Sequence, residues 1–290
     1  MEENNQYQKI IKKSKIEKKQ NEYIKIKYIL PDDLQLKSIF RELRTLKAIK
    51  NKSEYLIQVE DIKLNNNNKE INFYFPDEGI DLYSLINSKV FDYKAQKGLT
   101  EWIIFQSLKG IETLNSLNII HRDINPKNLF ISQQGRIKIG GFSRSINDIE
   151  SKFVDDRIVG ELPYLAPELL IFKNFNSKID IWSIGVIMLE LYSKKTMILI
   201  DDEDNIKENY PKRFFRQLKY LANFFKIPFN FNENNYTNED LVTWLNNAKI
   251  DPNVFREKFK DIPDLEEEGL ELMRNLLNFN PKERITAKKL

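Results

Sequence analysis

The chain has 290 residues with 46 basic and 43 acidic side chains, a formal net charge of +3 that gives no reason to expect nucleic-acid binding. It contains no cysteine, which excludes disulfides, thiolate catalysis and cysteine zinc sites. A hydrophobic fraction of 41% is enough for a substantial core, and the length suits one two-lobed domain or two small ones.

The amino-terminal residues are polar and no apolar run reaches membrane-spanning length, so neither a secretory leader nor a membrane span is expected, and the chain reads as intracellular. Lys12, Lys13, Lys18 and Lys19 lie among few apolar residues, as solvated edge strands or as a basic patch. Tyr23 to Ile29 alternates apolar and polar residues, which predicts a strand. Residues 31–50 open on Pro-Asp-Asp and space Leu36, Ile39, Phe40, Leu43 and Leu46 at helical intervals. Residues 55–75 read as two strands joined by the asparagine run Asn65 to Asn68. Beyond residue 80 helical patterning dominates, with short strands around residues 129–139.

Five motifs then appear in order. His121-Arg122-Asp123-Ile124-Asn125-Pro126-Lys127-Asn128 is followed by Lys138-Ile139-Gly140-Gly141-Phe142-Ser143. Gly160-Glu161-Leu162-Pro163-Tyr164-Leu165-Ala166-Pro167-Glu168 precedes Asp180-Ile181-Trp182-Ser183-Ile184-Gly185, and Asn280-Pro281-Lys282-Glu283-Arg284 lies near the end. Their order and spacing resemble the eukaryotic protein kinases, closest to the cyclin-dependent and mitogen-activated groups. The resemblance runs from about residue 35 to the end. It implies an α+β fold with a small β-rich lobe, residues 1–78, and a larger helical lobe, residues 79–290, joined near Pro76 to Gly79. It also implies that the last helix would continue past Leu290.

What the resemblance implies for the site is mixed. Asp123 stands where the catalytic base stands, and Asn128 where one magnesium ligand stands. Gly141 replaces the metal-binding Asp, and glycine offers no side-chain oxygen to a cation that demands hard oxygen ligands. Asn125 replaces the lysine that steadies the transferred phosphate. Glu161 replaces a threonine seven residues before Glu168, which brings negative charge towards an anionic phosphate. No glycine occurs in the first 30 residues, so no phosphate-covering loop can be read there. Lys27, or Lys25 in the other register, would pair with Glu42 in the nucleotide cleft. Phe130 either narrows the adenine slot or packs in the core.

The scaffold positions look intact. Leu46, Val59, His121 and Phe142 would stack as a column linking the lobes, anchored by Asp180. Glu168 would pair with Arg284. Asp156 would hold Arg122, or belong to a solvated acidic loop. Intact scaffold with altered chemistry implies an inactive pseudokinase that binds protein partners, with no cofactor expected. The alternatives are a weak Ser/Thr kinase using ATP and magnesium through Asp123, Asn128 and another carboxylate such as Glu161, and a structural subunit with an empty nucleotide cleft.

Overall fold

The structure is a computed structural model that describes residues 15–19, 22–28, 33–65, 70–88, 98–152, 158–171, 174–193, 210–232, 235–251, 253–260 and 265–289. Its first layer is an antiparallel sheet of strands β1 (Lys15–Lys19), β2 (Glu22–Tyr28), β3 (Asp61–Asn65) and β4 (Glu70–Pro76) in the order β1-β2-β4-β3. Lys25 pairs with Phe73 and Lys27 with Ile71 in this register. On β4 the period of two is plain: Phe73 and Phe75 are buried and their rings stack 6.3 Å apart, while Asn72 and Tyr74 are half-buried.

Helix α1 (Asp33–Ile49) lies between β2 and β3 in the chain. Ile39, Glu42, Leu46 and Ile49 recur at helical spacing and are buried, whereas Phe40 is 65% exposed. The strand expected from residue 55 begins only at Asp61. Residues 55–57 are engaged elsewhere, because Tyr55 accepts from Ile139 N and Ile57 N donates to Ile139 O, both at 2.9 Å. Those bonds bind this segment to the strand carrying Ile139 and leave it no ladder with β4.

The helical body follows. Strand β5 (Ile80–Asp81) pairs with β7 (Leu129–Ile131), which pairs with β8 (Ile137–Ile139); β6 (Ile119–Ile120) pairs with β9 (Ile146–Asn147). Asp81 caps α2 (Leu82–Ile86) by accepting from Ser84 N at 2.8 Å. Helix α3 (Leu99–Ser116) buries Ile103, Ile104, Leu108, Ile111 and Leu114. After the short α4 (Pro167–Leu170) comes α5 (Lys178–Ser193), in which every residue from Ile179 to Tyr192 is buried. A helix apolar all round has no solvent face and becomes the axis of the core. Trp182 on α5 meets Phe279 edge-on at 5.2 Å and Phe225 at 6.3 Å.

Further along the chain lie α6 (Tyr210–Phe224), α7 (Asn238–Asn247) and α8 (Asn253–Phe259). Thr237 and Asp240 form a reciprocal capping box at the start of α7. Helix α9 (Glu267–Leu276) buries Leu270, Met273 and Leu276. The small sheet and the helical body together make the α+β two-lobed architecture.

Candidate active site

The loop after β6 is anchored by the buried axis. Asp180 on α5 accepts from His121 N at 2.8 Å and from Arg122 N at 3.0 Å, one bond to each carboxylate oxygen. Arg122 has a φ of +65°, so this turn is held in a left-handed conformation by its partners. The one histidine is packed, not chemical. His121 Nε2 stands 2.8 Å from Gly140 O, and Asp123 N donates to His121 Nδ1 at 3.2 Å. Only the neutral ring protonated at Nε2 satisfies both contacts. Its ring meets Phe142 edge-on at 5.4 Å, and Leu46, Phe142 and half-buried Val59 belong to the same apolar cluster.

Burial pushes the Asp180 carboxyl up to about 7, against the lowering effect of its two backbone donors and of Arg122. The folded value lies above the unfolded one of about 3.9. The folded state therefore binds the proton more tightly between about pH 4 and 7, and the stability from this group is full below that window and lost as pH rises through it. The unfolding free energy of the native chain relative to Asp180→Asn should accordingly fall from pH 4 to 7 in a urea-denaturation series. A difference that grows over this range would contradict the assignment.

Asp123 is enclosed by its own loop. Its Oδ1 receives Arg144 Nη1 at 2.9 Å and Asn125 Nδ2 at 3.1 Å. Its backbone carbonyl receives Asn128 Nδ2 at 2.7 Å and Asn125 Nδ2 at 3.0 Å. Asn125 also caps the Pro126–Asn128 turn by accepting from Lys127 N. Burial raises the Asp123 carboxyl above its usual range; Arg144 pulls it down and the Glu161 carboxylate pushes it up.

At the position of the replaced metal carboxylate stands the Asn128 side chain. Gly141 has a φ of +80°, and a Cβ added there would fall inside the van der Waals shell of the Asn128 carboxamide oxygen. Asn128 thus turns its side chain into the space that an acidic residue at 141 would use. Among the described residues no three His, Asp or Glu side chains gather as metal ligands. The residues present do not fit a magnesium ion held for phosphoryl transfer.

Glu161 does not present bare charge. Lys127 Nζ lies 2.9 Å from Glu161 Oε1, and its ammonium stands 5.2 Å over the Tyr83 ring. Partial burial works against the Lys127 charge, but the Glu161 contact outweighs it and raises the lysine pKa. Arg122, Asp123, Gly160, Glu161, Tyr164 and Ser183 line a shallow hollow beside this ion pair.

The remaining positions fall as follows. Phe130 is half-buried and packs on Gly140 beside Ile57: a Cβ at Gly140 would meet Phe130 Cε2 at 3.0 Å and Ile57 Cδ1 at 3.3 Å. Glu42 is buried on α1. Lys25 and Lys27 lie in β2 by backbone, but their side chains are outside those described, as is Asp156, the expected partner of Arg122. Glu168 and Arg284 are both fully buried and paired through two bonds of 2.7 and 2.9 Å. Sequence reasoning missed Arg144 and Lys127. The signal for Lys127 was the displacement of the loop lysine by two positions, from 125 to 127; for Arg144 it was a cation three residues after Gly141.

With the small sheet, the helical body and this loop in place, the family is plain: the chain belongs to the protein kinase domain family, whose model matches residues 5–290. It is similar to Mitogen-activated protein kinase HOG1 of Candida albicans, with 27% identity over 87% of this chain and 62% of the relative. Mitogen-activated protein kinase 10 of Arabidopsis thaliana is 27% identical over 95% of this chain and 67% of its own length. Mitogen-activated protein kinase HOG1 of Torulaspora delbrueckii is 28% identical over 87% and 54%. The chain thus spans between 54% and 67% of the length of these relatives. Among the described residues no helix is long and apolar enough to cross a membrane.

Proposed function

We propose that this domain is a pseudokinase: a kinase-shaped module that binds protein partners inside the cell and does not transfer phosphate. The observation that carries this reading is Gly141 with the Asn128 side chain in its space. Phosphoryl transfer depends on positioning and on neutralising charge as it develops. A centre without the metal carboxylate, with Asn125 in the lysine position and Asp123 tied to Arg144, does neither well. The domain accordingly holds no nucleotide and divalent cation for catalysis. Phe40, one helical turn before Arg44, and Ile149, next to Glu150, are 65% and 73% exposed and offer apolar surface for a partner beside elements joined by the Arg44–Glu150 ion pair.

A second reading is a Ser/Thr protein kinase, favoured by the retained Asp123 and Asn128 and by relatives named as mitogen-activated protein kinases. Transfer of labelled phosphate from ATP, with magnesium or manganese, to the chain itself and to a generic protein substrate separates the two. We expect the same background level for the native chain and for Asp123→Asn. A rate that drops by about 10²-fold or more on Asp123→Asn, the effect of losing a general base, would establish the second reading instead.

A further inference from the structure

The cations of the cleft are distributed one to each carboxylate. Lys127 serves Glu161, and Arg144 serves Asp123. Asp180 receives two backbone donors and also feels Arg122. The formal charges of these six side chains cancel. A metal-dependent centre is different, because its carboxylates face one another across a space that only a cation completes, and the ion is the largest charge in the site.

Arg144 is also delivered rigidly. It closes the Phe142–Arg144 turn, and its carbonyl accepts from Arg122 Nε at 2.7 Å. The next residue, Ser145, is fully buried. Its Oγ donates to Phe142 O at 2.6 Å and lies 2.6 Å from Thr45 Oγ1 on α1. The turn that carries the guanidinium is therefore clamped to the catalytic loop on one side and to α1 on the other. The Arg144 and Asp123 side chains are 26% and 13% exposed, so the pair lies largely out of solvent. Arginine stays charged at any pH the protein meets, and no chelator removes it.

We propose that Arg144 is a resident counter-ion. Its guanidinium supplies beside Asp123 the positive charge that a phosphotransferase centre draws from the loop lysine, here Asn125, and from metal held at the positions of Asn128 and Gly141, so the loop assembles and balances its charge without metal. This rests on the pseudokinase reading, and the two fail separately. Metal-dependent phosphate transfer defeats both, whereas an inactive chain stabilised by metal through Asp123 defeats only this one.

The test is thermal unfolding of the full chain in EDTA, magnesium and manganese, for the native sequence, Asp123→Asn, Arg144→Lys, Arg144→Met and the double variant Asp123→Asn/Arg144→Met. The native Tm is expected to be the same in all three solutions. Arg144→Met should lower it by roughly 5 °C or more, by stranding a mostly buried carboxylate. Arg144→Lys should retain most of the native value, and the double variant should melt no lower than Arg144→Met. If Arg144→Met does not fold, a folded double variant supports the pairing, and an unfolded one overturns it. A saturable rise of the native Tm with magnesium that Asp123→Asn abolishes also overturns the proposal. So does strict addition of the two single losses in the double variant.

Discussion

Arg284→Met should lower the unfolding free energy by about 3–5 kcal/mol, measured by urea denaturation, because it leaves Glu168 buried without its charge partner. Both side chains are fully buried, and the guanidinium makes two bonds to the carboxylate. It does more than pair. Arg284 Nη1 donates to Lys178 O at 3.0 Å, Nε donates to Asn278 O at 2.9 Å, and the group stands 5.2 Å over the Trp182 ring. Glu168 belongs to α4, Lys178 opens α5, and Asn278 follows α9, so one side chain ties three parts of the helical body together. Methionine fills much of the volume but satisfies none of these acceptors. Glu168→Gln keeps the shape and removes the charge, and should cost less than Arg284→Met. The double variant Glu168→Leu/Arg284→Met should recover part of the loss, because it buries neither charge alone. If the double variant loses the full sum of the single losses, the pair does not act as a unit.

How much of this was legible beforehand depended on the range of each interaction. Elements set by local pattern could be read: the helical spacing of Ile39, Leu46 and neighbouring apolar residues marks α1, and the Asp180–Gly185 motif marks the start of the buried axis α5. Motif spacing was enough to locate the loop carrying Asp123 and the segment carrying Gly141. What escaped were contacts between residues distant in the chain. Glu161 read alone is a stray negative charge; with Lys127 across 34 residues it is half of an exposed ion pair worth at most about 1 kcal/mol. Arg144 read alone is one more surface cation, and only the turn after Gly141 brings it back onto Asp123. The strand expected from residue 55 failed for a similar reason: Tyr55 and Ile57 bond to Ile139, a partner no local pattern reveals.

Restoring the missing acid should not restore chemistry. Gly141→Asp is expected to leave phosphate transfer at the level of Asp123→Asn and to lower stability by roughly 2–3 kcal/mol. Part of that cost is the positive φ at 141, which strains any side chain placed there. The rest is local rearrangement. The new Cβ displaces the Asn128 carboxamide, and that movement breaks the 2.7 Å bond from Asn128 Nδ2 to the Asp123 carbonyl. Even with Asn128 moved, Arg144 remains on Asp123 Oδ1 and Asn125 remains where a phosphate-steadying lysine would be required. A cation arriving at the introduced carboxylate would then meet a positive guanidinium close by, and like charges in a partly buried cleft repel strongly. Recovery of function should therefore need Gly141→Asp together with Arg144→Leu and Asn125→Lys. Phosphate-transfer assays and urea denaturation on the single and triple variants check this, and Asp123-dependent transfer by Gly141→Asp alone would show that the loss of the metal carboxylate was the only defect.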